Sequence, residues 1–222
     1  MVLKYTIPCW VRGMLDEKSL RSIEKNIPMI VKEGDIFIDP RNKALTSFYL
    51  NNALISLKTA KILDEVSNDK EIKKQFDFID DNFESYLWII NTSYYSMFYT
   101  AGALLADSGI KVKSEIGVHK KTFEALVFYF YLNKKIAKKY LEDFEEAQRD
   151  SRELLGTEEP IEMMQKKAKE LIKKYEYELG KRGRFTYEMG EIAKAEKAKT
   201  SLARALEFYN ECLKMMSKPG RR

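Results

Sequence analysis

Gly-Lys-Arg-Gly-Arg-Phe-Thr-Tyr-Glu, residues 180–188, gathers cations, a glycine and an aromatic hydroxyl in one short run. Arg182 and Arg184 are of the type that clamps a phosphate, through planar, paired hydrogen bonds. Gly183 between them lets the backbone turn sharply and bring its N–H groups toward an anion. A helix is expected to begin just beyond, and its N-terminal dipole favours the same charge. Tyr187 is suited to stack on a base or to donate to a phosphate. The plainer reading is solvated charges at a helix start, paired with nearby glutamates, and a half-buried packing tyrosine.

Acid–base chemistry has few candidates. Cleaving RNA without a metal needs a base for the 2′-hydroxyl, an acid for the leaving oxygen and cations for the developing charge. Arginine stays protonated and supplies only the last. The sole histidine, His119, is the natural acid–base group. To act it must meet Arg182 or Arg184 in space. It stands near an expected helix N-terminus, where the dipole disfavours its charged form, and a structural, hydrogen-bonding histidine is the alternative. Tyr94, Tyr95 and Tyr99 form a helical cluster; most of it is core, with one member, taken as Tyr95, open on a cleft. Asn91 and Ser93 either bond inside the bundle or face a pocket. Cys9 and Cys212 lie far apart with no Cys-x-x-Cys pair, so no metal site is expected. They read as small apolar packers in a reducing cytoplasm, with a disulfide as the lesser alternative. No cofactor is expected, since no glycine-rich phosphate loop and no βαβ spacing occur.

The elements that must position these residues are helical. Tyr49, Ala53, Leu57, Ala60 and Leu63 step along one face of a helix from Ala44 to about Val66. Asn82 reads as the N-cap of the next, which stops at Gly109 and is apolar nearly all round, as a helix at the centre of a bundle is. A third starts near Gly117 or Val118. A fourth, from about Lys134 to Leu155, turns Ile136, Tyr140, Leu141, Phe144 and Ala147 inward. A fifth covers about 161–179, and the last, from about Gly190 to Met216, carries the stripe Ala198, Leu202, Ala205, Tyr209 and Cys212. Before these, the helical pattern of residues 16–33 is interrupted at Pro28 and Asp35–Pro40 reads as a brief extended piece. The expected fold is thus all-α, a bundle of five to six helices over residues 44–217. Residues 1–43 form an extension packing on it and 218–222 a mobile tail able to attract RNA weakly. The net charge of +5 permits contact with nucleic acid without demanding it. No secretory signal or membrane span is read, so a soluble, cytoplasmic protein is expected.

Three pieces in this order resemble a known family: residues 48–63, then 88–109 followed by 117–126, then Arg-Gly-Arg-Phe-Thr-Tyr-Glu ahead of 197–213. The order, and above all Ser93-Tyr94-Tyr95-Ser96-Met97-Phe98-Tyr99, resembles the HEPN family of prokaryotic helical domains, in particular its archaeal branch, over about residues 44–213. The resemblance implies an up-and-down bundle, commonly a two-fold homodimer. It also implies one of three roles: partner of a nucleotidyltransferase in a toxin–antitoxin module, binder of nucleotides or RNA, or metal-independent endoribonuclease. Nuclease members carry an arginine followed four to six residues later by a histidine, which is absent here. A related subgroup has Arg-x-x-Ala-Asp-Tyr; Arg182 and Tyr187 keep its spacing, with Phe185 and Thr186 replacing the small residue and the acid. The expectation is therefore a binding module with Arg182, Arg184, Tyr187, Tyr95 and His119 at its ligand site. A nuclease using His119 with Arg182 and Arg184, and a non-catalytic dimeric interaction protein, are the alternatives.

Overall fold

A computed structural model describes residues 15–113, 117–155 and 191–217, with backbone alone for 153–155 and 191–194. Seven α-helices are described: α1 (Glu17–Lys32), α2 (Thr46–Asn68), α3 (Lys70–Lys73), α4 (Tyr86–Asp107), α5 (Val118–Leu126), α6 (Lys138–Leu155) and α7 (Glu191–Met216). The chain is an all-α helical bundle. Arg182, Arg184, Tyr187, Cys9 and the expected helix 161–179 lie outside the described residues.

Helix α4 holds the bundle together. Of its 22 residues, 13 are buried, on all but one face, so other helices must enclose most of it. Its neighbours are α2, α5, α6 and α7. Small residues bring α2 close to it. Ala53 and Ala60 are fully buried on α2, and Ser96 donates its hydroxyl to the Ala53 carbonyl at 2.9 Å. Tyr49 lies flat enough over Gly102 that a Cβ there would stand 3.1 Å from its Cδ1. Ser67 and Ser85 join the far ends of the same pair at 2.8 Å, so the two helices run antiparallel. On the opposite flank Leu141, Phe144 and Ala147 of α6 and Ala205, Phe208 and Cys212 of α7 are fully buried. Phe144 is the keystone there, with ring centroids 6.0 Å from Tyr94, 6.0 Å from Phe123 and 5.7 Å from Phe208. A ladder of charges binds α6 to α7 outside this layer: Arg204 reaches Glu146 at 2.8 Å and Asp143 at 3.4 Å, and Lys197 reaches Asp150 at 3.1 Å.

Three local expectations are corrected. Helix α1 continues through Pro28, because Ile23 and Ile27 bury its inner face while Pro28 stays exposed, and one lost backbone bond is offset by that packing. Ser85, not Asn82, is the N-cap residue of α4. The Asn82 N–H donates to the Asp80 carboxylate at 2.9 Å, which makes a turn before the helix. The fourth helix starts at Lys138 rather than Lys134. Residues Val127–Tyr131 form a π-helical extension of α5, and Lys134 takes a left-handed conformation, φ 56°, that no helix continues through.

Residues before α2 are tied to the rest by a two-stranded antiparallel sheet, of which the sequence showed only the first strand. β1 (Ile36–Ile38) pairs antiparallel with β2 (Ile110–Val112), Ile36 opposite Val112. Asn42 donates to the Ile110 carbonyl at 2.7 Å and is buried. Because the ring of Phe144 has no exposed surface, Phe144→Ala is expected to cost about 3–5 kcal/mol of unfolding free energy. Chemical denaturation of wild type and variant checks it; a loss below about 1 kcal/mol would contradict the keystone role.

Candidate functional site

His119 is placed by two local devices. Gly117 caps α5 in the left-handed region, φ 82°, which turns the chain out of β2 and starts the helix. Lys121, one turn on, forms a 2.7 Å ion pair with Asp35 beside β1, and this contact holds the Asp35 carboxyl below the usual carboxylate range. The start of α5 is thereby pinned against the two-stranded sheet, and its first turn directs His119 onto α4.

There the imidazole meets a row of rings. Its Nδ1 lies 2.5 Å from the Tyr94 hydroxyl. Phe98 packs on it at 4.2 Å between centroids, and Tyr95 stands nearly edge-on at 6.1 Å. Only 1% of His119 is exposed. Burial pushes its pKa down to about 4, and the Arg152 guanidinium adds a smaller push the same way. The ring is therefore neutral at neutral pH. Nε2 has no hydrogen-bond partner among the described residues. A neutral, enclosed imidazole can hold a hydrogen bond but is a poor proton donor to a leaving group.

Tyr95 does open outward. It is half-buried, and with Trp88, Thr92 and Tyr99 it falls at intervals of four, three and four residues, one face of α4. Trp88 is 55% exposed, and the rings of Tyr95 and Tyr99 lie 6.1 Å apart. Tyr94, by contrast, is buried. Of the polar residues singled out on this helix, Asn91 accepts a hydrogen bond from the Ser151 hydroxyl at 2.9 Å. Ser93 Oγ is buried with no partner among the described residues.

The structure thus brings Tyr95 and His119 together. Arg182, Arg184 and Tyr187, the remaining expected site residues, lie outside the described residues. Sequence reasoning missed Trp88 and Thr92, although their spacing to Tyr95 was available. It also missed Arg152 and Glu145 on α6. Burial raises the Glu145 carboxyl to about 7, and nothing in the local sequence signals that. Among the described residues no group of three or more His, Cys, Asp or Glu side chains is placed to hold a metal, and no helix is long and apolar enough to cross a membrane. Neither family models, nor curated proteins, nor solved structures compared with the chain gave a match.

His119 and Glu145 make opposite demands on stability. The folded state lowers the His119 pKa from 6.5 to about 4, so between these values the unfolded chain binds a proton that the native one refuses, and stability falls as pH falls. The full effect is about 3 kcal/mol. The folded state raises Glu145 from 4.5 to about 7, so over nearly the same window it favours the native form as pH falls. Wild type is expected to show a shallow slope, with the two contributions opposed. His119→Gln should gain on wild type as pH drops from 7 to 4, and Glu145→Gln should lose. Denaturant midpoints across that range check this; parallel curves for all three proteins would contradict it.

Proposed function

We propose that this chain is a binding module that holds a nucleotide or RNA, and does not cut it. In this reading Arg182 and Arg184 contact phosphate and the outward aromatic face of α4 stacks on bases. The HEPN-like helix order read from the sequence adds a nucleotidyltransferase or toxin–antitoxin type partner and a homodimeric state to the proposal. The observation that carries it is the row Trp88, Thr92, Tyr95 and Tyr99. Its aromatic members lie on a rigid, deeply anchored helix and keep part of their surface in water. Base–aromatic stacking needs such fixed rings and tolerates any base. The contribution of the two arginines rests on their chemistry and on the glycine between them.

Catalysis through His119 is the less favoured reading. The buried ring, lowered to a pKa of about 4, supplies no acid at neutral pH. A structural protein without a ligand is the remaining alternative, and the same experiment separates it.

Fluorescence anisotropy with a labelled short single-stranded RNA and with a mononucleotide, at low and high salt, tests the reading. Wild type should bind RNA and weaken as salt rises. Arg182→Ala/Arg184→Ala should bind more weakly with a shallower salt slope. Trp88→Ala should lose about 1–3 kcal/mol for each base it stacks. Negligible wild-type binding at both salt concentrations, or identical binding by all variants, would overturn the proposal.

A further inference from the structure

The chain between α3 and α4 turns aromatic side chains outward. Residues 76–84 read Phe-Asp-Phe-Ile-Asp-Asp-Asn-Phe-Glu. Ile79 and Phe83 are half-buried, but Phe76 is 38% exposed and Phe78 85%. The two outer rings meet nearly edge to face, 5.9 Å between centroids. A chain of short bonds fixes the segment beneath them. The Phe76 N–H donates to the Lys73 carbonyl at 3.0 Å, that of Ile79 to Phe76 at 3.1 Å and that of Phe83 to Asp80 at 3.1 Å. Lys73 is buried, and its ammonium donates to the Asp81 carbonyl at 2.9 Å. At the far end the Ser85 N–H donates to the Ser67 hydroxyl at 3.0 Å. An exposed ring pair on a braced loop, rimmed by charge, marks a contact surface in a way that scattered single residues do not.

We infer that this loop docks a basic segment of a partner protein, one that carries arginine or lysine next to apolar side chains. Charge names the occupant. Asp77, Asp80, Asp81 and Glu84 are all exposed, and none of them forms an ion pair among the described residues. No lysine or arginine occurs between Lys74 and Lys111. The two cations that lead into the loop are committed: Lys74 pairs with Glu71 at 2.7 Å, and Lys73 bonds its carbonyl inside. Four uncompensated carboxylates thus stand together in a chain whose net charge is +5. They attract a cation, and the negative faces of the two rings attract the same cation. The aliphatic stems of arginine and lysine cover rings while their heads reach carboxylates. The same charges turn other occupants away. RNA or an anionic membrane would meet four negative groups. A second copy laying the same patch on this one would set like charges together.

The inference rests on neither the nucleotide nor the partner type of the proposed function, and its test contains no nucleic acid, so either can fail alone. The full chain is titrated with a fluorescent peptide of four Arg-Leu-Ser repeats, read by anisotropy, with backbone amide shifts locating the contact. Wild type should bind this peptide, more weakly as salt rises, and the shifts should centre on residues 76–84. Phe76→Ser/Phe78→Ser and Asp77→Asn/Glu84→Gln alter only exposed side chains that carry none of the loop's bonds. Each should keep the wild-type circular dichroism spectrum and weaken binding by about fivefold or more. Replacing arginine by glutamate in the peptide, or leucine by serine, should weaken it by about as much or more. No binding by wild type overturns the proposal. So does undiminished binding by either variant or of either substituted peptide, or a set of shifts centred elsewhere on the chain.

Discussion

Everything in this fold depends on α4 being buried on all faces but one. A helix whose buried residues run from Ala103 and Ser96 through Ile89 and Met97 to Tyr94 and Asn91, over well more than half of its circumference, cannot rest on a single surface. Other helices must enclose it, and each arrives with the side chains that fit its flank. Ala53 and Ala60 let α2 come near, and Tyr49 settles on Gly102. The flank toward α6 and α7 is filled by large rings, Phe144 and Phe208, with the charge ladder of Arg204 and Lys197 outside them. One rigid rod thus sets the position of everything packed on it, including the candidate site.

That enclosure explains why the polar groups of the centre behave as they do. His119 is driven onto α4 by the cap at Gly117 and the Lys121–Asp35 pair, then covered by Phe98 and Tyr94. Covering it removes water, and removing water removes its charge. The same helix, one face over, leaves Tyr95, Tyr99 and Trp88 partly in solvent. Thus α4 carries both a sheltered hydrogen bond to His119 and an outward aromatic row, and the two have different physical roles.

Much of the architecture was legible in the sequence. The periods of α2, α4, α6 and α7 and the all-round apolar character of α4 are written in residue order, because burial selects residue type at helical spacing. What was not legible depends on contacts between distant residues. Pro28 reads locally as a break, and only the burial of Ile23 and Ile27 shows why the helix continues. Asn82 is a good cap by type, but the hydroxyl that bonds at that end belongs to Ser85, which is claimed by Ser67 across the helix pair. β2 is three residues long and exists through its pairing with β1. For the site, residue type identified His119 and Tyr95 but not their environment: a histidine's charge is decided by what covers it, and the ring of Phe98 comes from another helix. Trp88 was a different kind of miss, since its spacing to Tyr95 and Tyr99 is local and could have been read.

Native-state hydrogen exchange along α4 tests the central claim most directly. If α4 is the element on which the others depend, its amides between Ser96 and Ala106 should exchange only through global unfolding, with the same free energy as denaturant unfolding and the same denaturant dependence. Exchange of those amides through a smaller local opening, while α2 or α7 stays fully protected, would contradict the account.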